Sequence, residues 1–194
     1  MSPNEPVSNV PSKSTNLLRG CLGKRILRLV RYSWWPAQEV AGECGVRDEQ
    51  AFSLTAGPLA VYFEGGTILG LGSEPSLNSV IVWDEGSRHA SHDPSAMERD
   101  KELFAIADDG RFAASGWRHF NGQILSELVI LKRLDLNAKE QMRPSEGGLC
   151  FRCQDGTSFI ASHGLHNNTD DFSVLEESQL PGKGLKEVAL LSLL

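Results

Sequence analysis

The sequence predicts an α+β fold: a β-rich single domain with two pseudo-repeated β-hairpin halves joined by a helix. Three observations predict it. Residues 57–67, GPLAVYFEGGT, are echoed ninety positions later by residues 147–157, GGLCFRCQDGT, so that Gly57, Leu59, Gly66 and Thr67 recur as Gly147, Leu149, Gly156 and Thr157. An earlier echo matches Gly23-x-x-Ile26-x-x-Leu29-Val30 with Gly122-x-x-Leu125-x-x-Leu128-Val129. Between the copies lies Asp93-Pro94-Ser95-x-x-Glu98, a capping box with proline in the first turn, which reads as the start of a helix.

Residues 1–16 are polar and proline-rich and read as a disordered tail. The domain then occupies 17–194, with repeat halves at 17–88 and 111–194 and the linking helix at 94–107. Residues 24–34 (KRILRLVRYSW) are rich in β-branched and aromatic types and read as a strand. Residues 36–50 read as a loop. Residues 59–64 and 67–72 flank Gly65-Gly66, a hairpin dipeptide, and 80–83 is a further short apolar strand. In the linking helix, Met97, Lys101, Phe104 and Ala105 give a partly apolar face, and Asp108-Asp109-Gly110 ends it.

In the second half, Asn121-Gly122 marks a turn before 124–134 (ILSELVILKRL). That run suits helix or strand by composition, and its counterpart near Ile26 decides for strand. Residues 149–153 and 158–162 form a second hairpin around Asp155-Gly156. Residues 172–175 and 185–194 close the chain as apolar strands or a short final helix.

Composition narrows the function. No apolar run approaches the ~20 residues of a membrane-spanning helix. The N-terminus lacks the basic-then-apolar order of a signal peptide, so a reducing cytoplasm is expected, where Cys21, Cys44, Cys150 and Cys153 stay free. Residues 35–194 carry 13 Lys/Arg against 24 Asp/Glu, a balance of −11. Such a body disfavours nucleic acid as a direct ligand and favours a basic partner.

Motifs for chemistry are weak. Cys150-x-x-Cys153 with His163-x-x-His166 suggests zinc, but residues three apart on a strand point to opposite faces. Their counterparts are Ala60 and Phe63, so buried thiols are the better reading. His89-x-x-His92-Asp93 reads as a solvated loop rather than an acid–base site. Glu98-Arg99-Asp100-Lys101-Glu102 reads as a solvated helix face. No Gly-x-Ser-x-Gly elbow, phosphate loop or calcium loop occurs. No cofactor, metal or catalytic set is therefore expected. Trp34-Trp35 stands out, because two successive strand residues cannot both face the core and an exposed tryptophan beside acids suits a binding hot spot. Trp83 and Trp117 read as core.

The two-copy β-rich pattern, with Gly57-Pro58-Leu59, Phe63-Glu64-Gly65-Gly66, and Ser73-Glu74 before Asn78-Ser79-Val80, resembles immunity proteins that guard bacteria against their own secreted toxins. The closest likeness is to the immunity partner of a type VI secretion DNase effector. The resemblance implies a cytoplasmic, non-enzymatic inhibitor that binds a basic nuclease toxin and occludes its active or DNA-binding site. Charge alone selects the expected interface: Asp84, Glu85, Glu98, Asp100, Glu102, Asp108 and Asp109. Two alternatives stay open: a small-ligand-binding or regulatory domain with a cleft between the halves, and a metal-dependent enzyme using Cys150/Cys153 or His89/His92/Asp93.

Overall fold

A computed structural model describes residues 8–88, 96–166, 171–177 and 188–193. Strands β1 (Ile26–Ser33), β2 (Leu59–Phe63), β3 (Ile68–Glu74), β4 (Ser79–Asp84) and β5 (Phe104–Ala107) form one antiparallel sheet in the order β4-β3-β2-β1-β5. Strands β6 (Leu125–Arg133), β7 (Glu146–Cys153), β8 (Ser158–His163), β9 (Phe172–Glu176) and β10 (Val188–Ser192) form a second, in the order β10-β6-β7-β8-β9. The second sheet therefore repeats the topology of the first, strand for strand.

The repeat holds in register as well as in order. Leu29 pairs with Val61 and Val61 with Leu69 in the first sheet, as Leu128 pairs with Phe151 and Phe151 with Phe159 in the second. A one-residue slip would turn every core side chain outward, so shared hydrophobic positions enforce a shared register. The halves meet about a local two-fold. Gly23 N–H donates to the Leu125 carbonyl and Gly122 N–H to the Ile26 carbonyl, both at 2.8 Å. Ile26 N–H donates to Gln123 and Leu125 N–H to Lys24 in the same reciprocal manner. Gly23 and Gly122 have φ of 76° and 89°, where a side chain would be strained, which explains why both copies begin with glycine.

The two sheets pack face to face over one core, with Leu29, Val61 and Leu69 from the first against Leu128, Phe151 and Phe159 from the second. Trp117 is fully buried there, and its Nε1–H donates to Ser53 Oγ at 3.1 Å. Arg31 crosses the same core where the second half has Ile130. Its guanidinium lies 4.4 Å over the Phe172 ring and donates to the Phe172 carbonyl at 2.8 Å and to the Thr55 carbonyl. Each sheet also buries an outer face. Val129, Cys150, Ile160 and Leu175 form one such cluster, and Val30, Tyr32, Ala60, Tyr62 and Trp83 the other.

Three expectations are corrected. The linking helix does not run over 94–107. Helix α4 is only Ala96–Arg99 (helices α1, α2 and α3 being Thr15–Arg19, Ala37–Cys44 and Ala51–Leu54), and 104–107 is β5, paired to β1 from Val30↔Ala107 to Ser33↔Phe104. An open strand edge offers hydrogen bonds that a solvated helix face does not, and pairing outweighs local propensity. Asp93, Pro94 and Ser95, the expected cap, lie outside the described residues, as do His89 and His92. The expected loop at 36–50 contains α2 and a 3-10 turn at Asp48–Gln50. The expected disordered tail is ordered from residue 8. Asn9 exchanges both backbone hydrogen bonds with Val82 at the β4 edge, Val10 is 2% exposed, and Ser12 N–H donates to Glu146 Oε2 at 2.9 Å. A polar segment with one buried valine is held by the edge it covers.

Candidate functional site

The seven acids selected by charge do not form one surface. Glu85 is 0% exposed and accepts from Trp83 Nε1–H at 2.6 Å and from the Met97 amide at 3.0 Å. It ties β4 to α4, and charge on a sequence carries no information about such burial. Asp108 is 4% exposed and accepts from the Leu29 amide at 2.8 Å, beside the register shift in β1. Burial raises its carboxyl above the ordinary value, opposed by that hydrogen bond. Both are removed from the expected interface. Glu98 is half-committed, accepting from the Tyr62 hydroxyl at 2.8 Å and pairing with Arg28, whose guanidinium lies 3.9 Å over the Tyr62 ring. Asp84 accepts from the Ser87 amide at 3.2 Å. Asp100, Glu102 and Asp109 are exposed, the first two in the loop that leads into β5.

The cysteine and histidine motif does not converge. Cys150 belongs to the outer cluster of the second sheet and Cys153 to the inter-sheet core, on opposite faces as strand alternation requires. Burial pushes the Cys150 thiol up to about 12 and the Cys21 and Cys153 thiols up to about 11, so all three stay protonated at neutral pH. His163 is buried and its Nδ1 lies 2.5 Å from Ser73 Oγ, while His166 is exposed. Among the described residues no three His, Cys, Asp or Glu side chains gather as a metal site would need.

What the structure does build is an aromatic cleft of about 380 Å³ at one end of the first sheet. Trp34 follows the last residue of β1 and is 56% exposed, whereas Trp35 packs back against the core. Trp83, only 8% exposed, borders the same cleft, with Ile81 beside it. Its indole lies flat across Gly70, where an added Cβ would come within 2.2 Å of the ring, so only glycine permits this placement. Gly72, two residues on, keeps the floor low next to the indole, and Pro58, Pro75 and Asp171 border the opening. Asp171 is exposed and puts a carboxylate at the rim. The exposure of one of two neighbouring tryptophans was legible from strand alternation. Trp83, read as core, is buried at 8% exposure in the outer cluster of the first sheet, and nothing in the strand pattern told that it also borders a cleft. Gly70 and Gly72, set against Ile160 and Ser162 at the same positions of the second half, were the missed signal.

The equivalent place in the second half is filled. Arg133 stands where the first half has Trp34 by count along the strand; the registers match through Tyr32–Pro58 and Leu131–Gly148, after which β6 and β7 shift between Leu131 and Lys132. Its side chain lies over Gly147, within about 3.0 Å of where a Cβ would be, and donates to the His163 carbonyl at 2.8 Å. Leu165, the counterpart of Pro75, closes over the same glycine and is 8% exposed. The chain matches no protein-family model, no curated protein and no solved structure. Among the described residues no helix is long and apolar enough to cross a membrane.

Proposed function

We propose that this chain is a protein-binding inhibitor of the immunity type, which recognises a basic toxin domain, such as a nuclease, in the cytoplasm. One observation carries the reading: a half-exposed tryptophan stands at the open cleft of a body with a strongly negative balance. Tryptophan in a partly desolvated pocket is the commonest kind of interface anchor, and surrounding acids accelerate encounter with a cationic partner. Asp100 and Glu102 lead into β5, whose Phe104 pairs with Ser33, the residue before Trp34. The exposed acids and the aromatic anchor thus belong to the same end of the first sheet. Binding there would occlude a nuclease face that otherwise holds phosphate.

Co-expression with the product of the neighbouring gene tests the reading. Rescue from toxicity and a complex that co-elutes on size exclusion are expected, and failure of both sinks it. A second reading is favoured by a single contact, Ser73 Oγ against His163 Nδ1, because Ser73 also lines the cleft. A serine beside a histidine base is the start of a nucleophilic site. Labelling of Ser73 by a fluorophosphonate probe, lost in Ser73→Ala, would favour hydrolytic chemistry over inhibition.

A further inference from the structure

We infer that the Trp34–Trp83 cleft is a receptor for one arginine side chain of the protein partner. The inference rests on the binding reading above and deepens it by naming the group recognised. The second half of the molecule supplies the template. There, Arg133 reaches across Gly147, packs under Leu165 and donates its guanidinium to the carbonyl of His163 at 2.8 Å. The first half presents a related strand frame, without the register shift that β6 and β7 show between Leu131 and Lys132, and with the arginine missing. Trp34 replaces Arg133, Pro75 replaces Leu165, and Ser73 is the counterpart of His163. The space an arginine occupies on one sheet is a cleft on the other.

The lining suits a guanidinium. Trp34, 56% exposed, offers a face on which a planar cation stacks, the buried Trp83 borders the same space, and Arg is the cation most often found stacked on an aromatic ring. The Asp171 carboxylate at the rim matches its charge, and Gly72 leaves room for the stem beside the Trp83 ring. Trp83 is held in place from behind by the buried Glu85 carboxylate, so the wall is pre-formed before a ligand arrives. Arginine already lies over aromatic rings elsewhere in the molecule, among them Arg28 over Tyr62 at 3.9 Å and Arg31 over Phe172 at 4.4 Å. A net negative body attracts a cationic partner.

The test titrates ¹⁵N-labelled protein with N-acetyl-arginine amide and with its neutral isostere N-acetyl-citrulline amide, following the four indole N–H resonances. Saturable shifts of the Trp34 and Trp83 resonances with the arginine amide, and none with citrulline, are expected. Trp34→Arg, which gives the first half the residue that fills the second, should abolish the response while leaving the melting temperature unchanged. Equal shifts with both amides, shifts spread over all four indoles, or an unaltered response in Trp34→Arg would overturn the inference. If the amide fails but the neighbouring gene's product still binds, only the arginine assignment falls. If the amide binds but no protein partner does, the inhibitor reading falls and the arginine site stands.

Discussion

The two sheets share strand order and core, and both bury an outer face, yet they finish one end of it in opposite ways. In the second, Ile160, Leu175 and Leu165 pack over β7 and β8, and Arg133 closes the end. In the first, the matching positions are Gly70, Trp83, Pro75 and Trp34, and the end is left open. A repeated frame with an end sealed in one copy and open in the other teaches where to look for function. What both halves keep serves the fold, and what only one half keeps needs its own reason.

The largest effects should come from exchanging the two kinds of face. Ile160→Ala removes buried methyl groups and should cost about 2–5 kcal/mol. At the same position of the first half, Gly70→Ala adds an atom within 2.2 Å of the Trp83 ring and should cost about 1–3 kcal/mol, with displaced Trp83 resonances. Chemical denaturation measures both, and equal tolerance at the two positions would break the comparison. Next comes Glu85→Ala, which strips the acceptor from Trp83 Nε1–H and the Met97 amide. Buried donors left without a partner should cost about 1–3 kcal/mol and loosen the cleft wall.

Asp108 gives a smaller, pH-dependent effect. Its carboxyl is raised in the folded protein, so folding takes up a proton as pH falls toward the raised value. This group therefore adds stability as pH drops, fully below its unfolded value, and loses it as pH rises through the folded value. Asp108→Asn keeps an oxygen for the Leu29 amide and should remove that slope in melting curves taken from neutral to acid pH. The smallest effect on stability, within about 0.5 kcal/mol, is expected for Asp100→Lys with Glu102→Lys. The same pair should slow association with a basic partner, more strongly at low salt, in stopped-flow measurements.

Much of the frame could be read from the residues. The glycine dipeptides placed both hairpins, and the echo of Ile26 in Leu125 settled β6 as a strand against its helix-like composition. β5 was misread because Phe104 to Ala107 follows a capping signal and continues a helical spacing, while its true partner, β1, lies some seventy residues earlier. Pairing at that distance leaves no local trace. The site was half legible. Alternation placed one of Trp34 and Trp35 outside without saying which, whereas Glu85 and Asp108 looked like any other surface acid. Their roles depend on the Trp83 indole and the Leu29 amide, which only the folded chain brings to them.

The most direct test of the open face is isothermal titration of the neighbouring gene's product into wild-type protein and into Trp34→Arg, at equal thermal stability. Tight binding by the wild type and none by Trp34→Arg is the expected result, because an arginine at residue 34 would fill the cleft as Arg133 fills its counterpart. Equal affinity for the two proteins would contradict a recognition role for the cleft.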